Sequence, residues 1–303
     1  MALRGVLFQQ QLLLGLMILA ATAASQDSQP NSSCIYCGSL CIPYPFGIRW
    51  GQYLDESFYI NCVNISGTLK PFPGYGNNLE VLNISLDGEL QVSTSVTRYC
   101  PDNSSEQRIG SKFPISYKKN NLIGVGFSIL SFIIGSSKKM YGTGCVSLSD
   151  LYDEDTVANG SCSGVGCCNT SIPGGVTDFA VNIFPFGSYT NTCKFGFVVA
   201  KEAYNFSILD LQFLQNRTTV PVVLDWAVGN ETCPDAQRNN TAYLCKATNS
   251  KCHDSDNGPG YRCNCSSGFQ GNPYVHDGCQ GTNTHLSKFS MLDFNLHINI
   301  TTS

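Results

Sequence analysis

Sixteen cysteines placed behind a secretory leader narrow the possible folds of this chain more than any other feature. Arg4 supplies a positive start, Leu12 to Ala20 an uncharged apolar core of about nine residues, and Ala21-Thr22-Ala23 the small-residue pattern that a signal peptidase cuts. The core is far shorter than the ~20 residues a bilayer helix needs, so residues 1–24 read as a removable signal peptide, with the mature chain starting near Ala24 to Gln26. Export and abundant cysteine together imply an oxidising destination and a disulfide framework, and the even count is compatible with full pairing.

The longest apolar run after the leader spans Leu122 to Ile134 and is interrupted by Gly124, Gly126, Ser128 and Ser131. At about thirteen residues it is too short to cross a membrane, and its Ile, Val and Phe content predicts one or two buried strands. No other segment resembles a membrane span, so a soluble, secreted product is expected. About twelve Asn-X-Ser/Thr acceptors point to a glycoprotein, at Asn31, Asn64, Asn83, Asn103, Asn159, Asn169, Asn205, Asn216, Asn230, Asn239, Asn264 and Asn299.

Cysteine spacing divides the chain. Ten cysteines lie between Cys34 and Cys193, about forty residues follow without one, and six crowd between Cys233 and Cys279. Leu79–Ile84, Leu90–Val96, Val176–Ile183 and Phe195–Ala200 read as strands, being β-branched or aromatic and bounded by turn residues. Lys201 to Gln215 is compatible with one short helix. The expected fold class is therefore mainly β and disulfide-rich, ending in a small cysteine module.

Catalysis is not expected. All four histidines (His253, His276, His285, His297) lie in the last module or the tail, and no Gly-X-Ser-X-Gly elbow, kinase, Rossmann or P-loop pattern is present. A glycosidase needs only two carboxylates and stays open as a weaker reading. Cys263-Asn-Cys265 near His253 and His276 invites zinc, but in a secreted chain disulfides prevail, so no metal or cofactor is expected. Nothing in the sequence points to nucleic acid.

The last six cysteines are spaced about 11, 6, 10, 1 and 13 residues apart, and the Cys-X-Cys step resembles an EGF-like module. The resemblance implies Cys233–Cys252, Cys245–Cys263 and Cys265–Cys279, one of fifteen connectivities that spacing alone allows. One acid, Glu231, precedes the first cysteine, so this reads as a module that does not bind calcium. Asn257-Gly-Pro-Gly-Tyr261 reads as a tight turn into a strand.

Further upstream stand Cys34-Ile-Tyr-Cys37-Gly38, Ile42-Pro-Tyr-Pro-Phe-Gly47 and Phe58-Tyr-Ile-Asn-Cys62, then Gly144-Cys145, Gly160-Ser-Cys162-Ser-Gly-Val-Gly166-Cys167-Cys168 and Asp225-Trp-Ala-Val-Gly229. Together these resemble the extracellular region of plant wall-associated receptor kinases, over roughly residues 34 to 280. The resemblance implies a galacturonan-binding cysteine-rich domain (34–145), a wall-associated-kinase-associated β region (146–229), the EGF-like module (230–280) and a divergent tail (281–303). Where the family carries two further cysteines this chain has Phe127 and Ser149, as if one disulfide had been deleted, and Cys41 stands in for a cysteine expected near Trp50. The family continues into a second EGF module, a membrane helix and a kinase. Here Gly281 to Ser303 carries no cysteine, span or catalytic motif, as in an ectodomain-only paralogue or a truncated transcript product.

The ligand the family implies is pectin or an oligogalacturonide, a polyanion that calls for cations and aromatic faces. From Cys34 to Cys145 there are about nine Lys and Arg against seven Asp and Glu, and from Val146 onward about eight against fourteen. The first domain is thus the one suited to an anion. Within it Tyr44, Arg49, Trp50 and Tyr53 form the first candidate cluster, and Lys118-Lys119 with Lys138-Lys139 a second basic edge. Proline-flanked aromatics are more often packing elements than sugar platforms, and paired lysines are usually a solvated face. The resemblance also places the protein in the cell wall, with membrane receptor kinases as candidate partners. A protein-binding co-receptor or decoy is the alternative.

Overall fold

A computed structural model describes residues 34–74, 79–101, 103–135, 141–148, 157–186, 192–239 and 242–282. The signal peptide, Asn31, Asn299, Lys138, Lys139, Ser149 and the tail beyond residue 282 lie outside the described residues.

Alternating and uniformly apolar segments became strands, as residue type dictates. Leu79–Ile84 corresponds to the strand Glu80–Ser85, Leu90–Val96 to Glu89–Ser95, Val176–Ile183 to Asp178–Pro185 and Phe195–Ala200 to Lys194–Ala200. The apolar run resolves into two strands, Asn120–Val125 and Ile129–Gly135, and Gly126 and Ser128 at the bend both take positive φ. Lys201–Gln215 is not one helix. It breaks into the 3-10 turn Lys201–Ala203, the four-residue helix Asp210–Phe213 and the 3-10 turn Leu214–Asn216. Asp210 explains the break: its carboxylate accepts hydrogen bonds from Tyr204 Oη and Ser207 N, which starts a new turn instead of continuing the first.

Three sheets carry the body. Ile129–Gly135 lies between Tyr141–Ser147 and Asp178–Pro185, with Arg108–Gly110 at the far edge. Asn120–Val125 lies between Cys167–Ser171 and Lys194–Ala200, which continue to Thr97–Tyr99 and Ser104–Ser105. Glu89–Ser95 pairs with Glu80–Ser85 on one side and Thr219–Asp225 on the other. The boundary expected at 145/146 therefore falls inside a strand, and residues on either side of it share sheets.

Two glycines set the spacing between layers. Gly124 and Gly196 are register partners, and a Cβ on either would lie 2.7 Å from a Ser131 side-chain atom. Only a residue without a side chain lets the strands approach this closely. Two buried amides are fully paired: Gln107 exchanges two hydrogen bonds with the Val198 backbone, and Asn120 bonds Ser116 O and both backbone groups of Val223.

All sixteen cysteines are paired, and none is free. The first ten form Cys34–Cys41, Cys37–Cys62, Cys100–Cys193, Cys145–Cys168 and Cys162–Cys167. The last six form Cys233–Cys252, Cys245–Cys263 and Cys265–Cys279, around the hairpin Ser250–Asp254/Tyr261–Cys265 and the short pair Phe269–Gly271/Cys279–Gly281. The module opens on the helix Cys233–Arg238, capped by Thr232 with Pro234 in its first turn.

This last module is fastened to the body. Val228 and Tyr261 exchange two backbone hydrogen bonds, and Asn272 Nδ2 donates to Tyr44 O at 2.7 Å. Among the described residues no helix is long and apolar enough to cross a membrane.

Candidate functional site

The segment Pro43 to Tyr59 folds as a looped strap. Phe46 N bonds Pro43 O, Gln52 N bonds Arg49 O and Leu54 N bonds Pro45 O, closing successive turns. Gly47 is required here, because a Cβ would meet Gln52 O at 2.4 Å. Phe46 is buried and anchors the strap, while Trp50 at its tip is 86% exposed. Burying Phe46 holds the strap from below and leaves an indole in water, an unusual placement for so large an apolar group.

Aromatic rings continue from that tip inward. Trp50 meets Tyr53 edge-on with ring centroids 6.2 Å apart, and Tyr53 meets Tyr59 at 5.2 Å. Tyr53 Oη donates to Glu56 Oε1 at 3.2 Å. Partial desolvation and the Glu56 charge push the Tyr53 hydroxyl up from its usual range, and burial followed by the Asp55 charge does the same for Tyr44. Both therefore remain neutral hydrogen-bonding groups at any physiological pH. Tyr44 is half-buried against the core, so it serves mainly as packing. Arg49 is exposed beside Trp50 and makes no ion pair among the described residues.

The second proposed edge is placed differently. Lys118 pairs with Asp256 of the last cysteine module, and Lys119 pairs with Glu89 at 3.1 Å. Each lysine is held above its usual range, by a hydrogen bond and then the charge of its carboxylate. These cations are compensated within the molecule. A cation that the sequence reasoning passed over is better placed. Lys112 lines a cleft of about 270 Å³ with Asp55 and Ser57 from the end of the strap, and Ser255, Asn257 and Pro259 from the last module. Lys112 has no ion pair among the described residues. As a single lysine it carried none of the doublet signal that drew attention to Lys118-Lys119.

Asp225 also lines this cleft. Burial pushes its carboxyl up from the ordinary range, and hydrogen bonds from Asn257 and Ser116 and the Arg262 charge offset this only in part, while Asp256 adds to the rise. A folded-state value above the unfolded one contributes stability that is complete below the ordinary aspartate range and is lost as pH rises through the raised value. Asp225→Asn is therefore expected to melt higher than the parent at neutral pH, with the advantage vanishing near pH ~4. Melting curves from pH 4 to 8 check this, and an advantage independent of pH would refute it. Asp256 titrates the opposite way, held down chiefly by Lys118, and is common to both proteins.

Among the described residues no group of three or more His, Cys, Asp or Glu side chains is placed to hold a metal ion.

Comparison with known proteins adds the family. The chain is 37% identical over 276 residues to wall-associated receptor kinase 2 of Arabidopsis thaliana, covering 86% of this chain and 36% of that protein. Wall-associated receptor kinase 5 of the same plant is 36% identical over 272 residues, with 84% and 35% covered. Wall-associated receptor kinase-like 17 is 28% identical over 332 residues, with 91% and 41% covered. The chain thus spans about a third of the length of these curated relatives. No family model and no solved structure matches it. Through sequence shared with their extracellular region, the chain belongs to the wall-associated receptor kinase family.

Proposed function

We propose that this protein is a non-catalytic, secreted component of the cell wall that binds pectin, recognising stretches of unesterified galacturonate. The observation that carries this reading is the strap tip, where an 86% exposed Trp50 stands beside Arg49, which has no ion pair among the described residues, and continues into Tyr53. An indole stacks on the apolar face of a sugar ring, and a guanidinium donates to its carboxylate in bidentate fashion. Lys112 in the adjoining cleft supplies a second positive charge. The chain's overall acidity then confines the anionic polymer to this end.

Retention on demethylesterified pectin tests the assignment. Trp50→Ala is expected to weaken binding about tenfold, the loss of roughly 1–2 kcal/mol of buried aromatic contact. Arg49→Ala should remove most of the salt sensitivity. Lys119→Ala should leave binding intact, because its charge is already matched by Glu89. Equal retention of the parent and Trp50→Ala proteins would reject the placement.

A protein-binding role is the second reading, favoured by one observation. Val146, Leu130 and Phe184 lie side by side across three strands, with Val146 48% and Phe184 60% exposed. A receptor kinase in the membrane is the partner such a face would serve. Capture that survives excess soluble oligogalacturonide would favour this reading over the polysaccharide one.

A further inference from the structure

The cleft beside the strap carries a residue of different chemistry on its lip. Asn230 is exposed, lines the cleft and opens Asn230-Glu231-Thr232, a glycan acceptor triplet. Among the described residues its side-chain amide makes no hydrogen bond, so the nitrogen that would carry a sugar is unengaged. Asn264, another acceptor, instead spends its amide on Asp87 Oδ1 at 3.2 Å.

The walls facing Asn230 suit a sugar. Ser57 and Ser255 offer hydroxyls, Lys112 an ammonium, and Asp55 a carboxylate of which one oxygen is taken by Ser57 N. Behind them Asn257 uses its whole amide internally, on Gly175 N, Ile115 O and Asp225 Oδ2, so the back wall is fixed. At about 270 Å³ the space lies at the small end of ligand sites and takes one sugar ring rather than a run of polymer.

We propose that an N-linked glycan on Asn230 seats its first N-acetylglucosamine in this cleft and closes it to outside saccharides. The seat is a property of the chain itself. Its consequence for ligand rests on the pectin reading: the glycosylated protein reaches galacturonate with the Trp50 strap alone, and Lys112 takes part only when Asn230 is bare.

The test uses the full-length protein secreted from a glycosylating host. Glycopeptide mass spectrometry is expected to find Asn230 occupied. Native digestion with an N-glycosidase should release its glycan at least tenfold more slowly than those on the exposed Asn83 and Asn216. Lys112→Ala should speed that release without altering the other sites. Oligogalacturonide affinity should rise about three- to tenfold in Asn230→Gln, and the gain should disappear in Asn230→Gln combined with Lys112→Ala. An unoccupied Asn230, or release as fast as at Asn83, overturns the seat. Equal affinity of parent and Asn230→Gln overturns the closure. If neither form binds oligogalacturonide, the pectin reading fails, and the digestion rates still decide the seat.

Discussion

Trp226→Ala is expected to cost about 3–5 kcal/mol of stability, the range for truncating a fully buried large aromatic. Trp226 has 0% exposure and sits where three parts of the chain meet. It lies edge-on to Phe46 at 5.4 Å and Phe58 at 6.0 Å from the strap, and tilts against Tyr274 of the last cysteine module at 5.5 Å. Its Nε1 donates to Ser85 O at 3.1 Å. Removing the indole leaves a cavity bounded by disulfide-tethered segments, which restricts the collapse that would otherwise soften the loss. For a fold of this size the melting temperature should drop by roughly 6–20 °C. Trp226→Phe keeps most of the volume and loses the hydrogen bond, so about 1–2 kcal/mol is expected. Calorimetry with the disulfides intact distinguishes the two, and a loss below ~1.5 kcal/mol for the alanine variant would show that this junction is not the energetic centre. Trp50 and Trp226 are the chain's two tryptophans, so Trp226→Phe also leaves Trp50 as the single indole reporter of ligand at the strap.

What the sequence made legible follows from the range of each interaction. Local pattern located the strands, because side-chain alternation and β-branching act over a few residues. Resemblance supplied the three pairings of the last module. Distant partnership was not legible: Asn120 bonds Val223 across 103 residues, and Glu89–Ser95 pairs with Thr219–Asp225, for reasons of packing that no local window contains. The same limit explains the candidate site. Trp50 and Arg49 stand together because they are neighbours in sequence. Lys118 and Lys119 look like a free basic doublet until Asp256 and Glu89 arrive from elsewhere in the chain, and Lys112 looks ordinary until the last module forms the other side of its cleft. Lys201–Gln215 shows a local failure, since helix-compatible composition lost to Asp210 capturing nearby donors.

Asn257→Ala is expected to produce the other large loss, about 3–5 kcal/mol, by a different mechanism. At 2% exposure this one side chain accepts from Gly175 N at 2.7 Å and donates to Ile115 O at 3.0 Å and Asp225 Oδ2 at 2.7 Å. Truncation leaves a carbonyl and a carboxylate buried without it, each costing roughly 1–3 kcal/mol and not fully additive, and removes the acceptor of the more exposed Gly175 N. Asn257→Asp separates hydrogen bonding from shape. It keeps the acceptor for Gly175 N but sets a second carboxylate against Asp225, so it should be severely destabilised at neutral pH and recover in acid, where the pair shares a proton. Asn257→Ala should stay destabilised across the same range. Melting within ~2 °C of the parent for the alanine variant would mean that the last module is held by its other contacts, such as the backbone bonds with Val228 and the bond from Asn272 to Tyr44 O. Because Asn257 is also the back wall of the Lys112 cleft, and Asn272 of the same module holds Tyr44 O at the root of the strap, loosening this lock should disturb both surfaces proposed to meet sugar. The last cysteine module is thus, in this fold, the structural support of the proposed site.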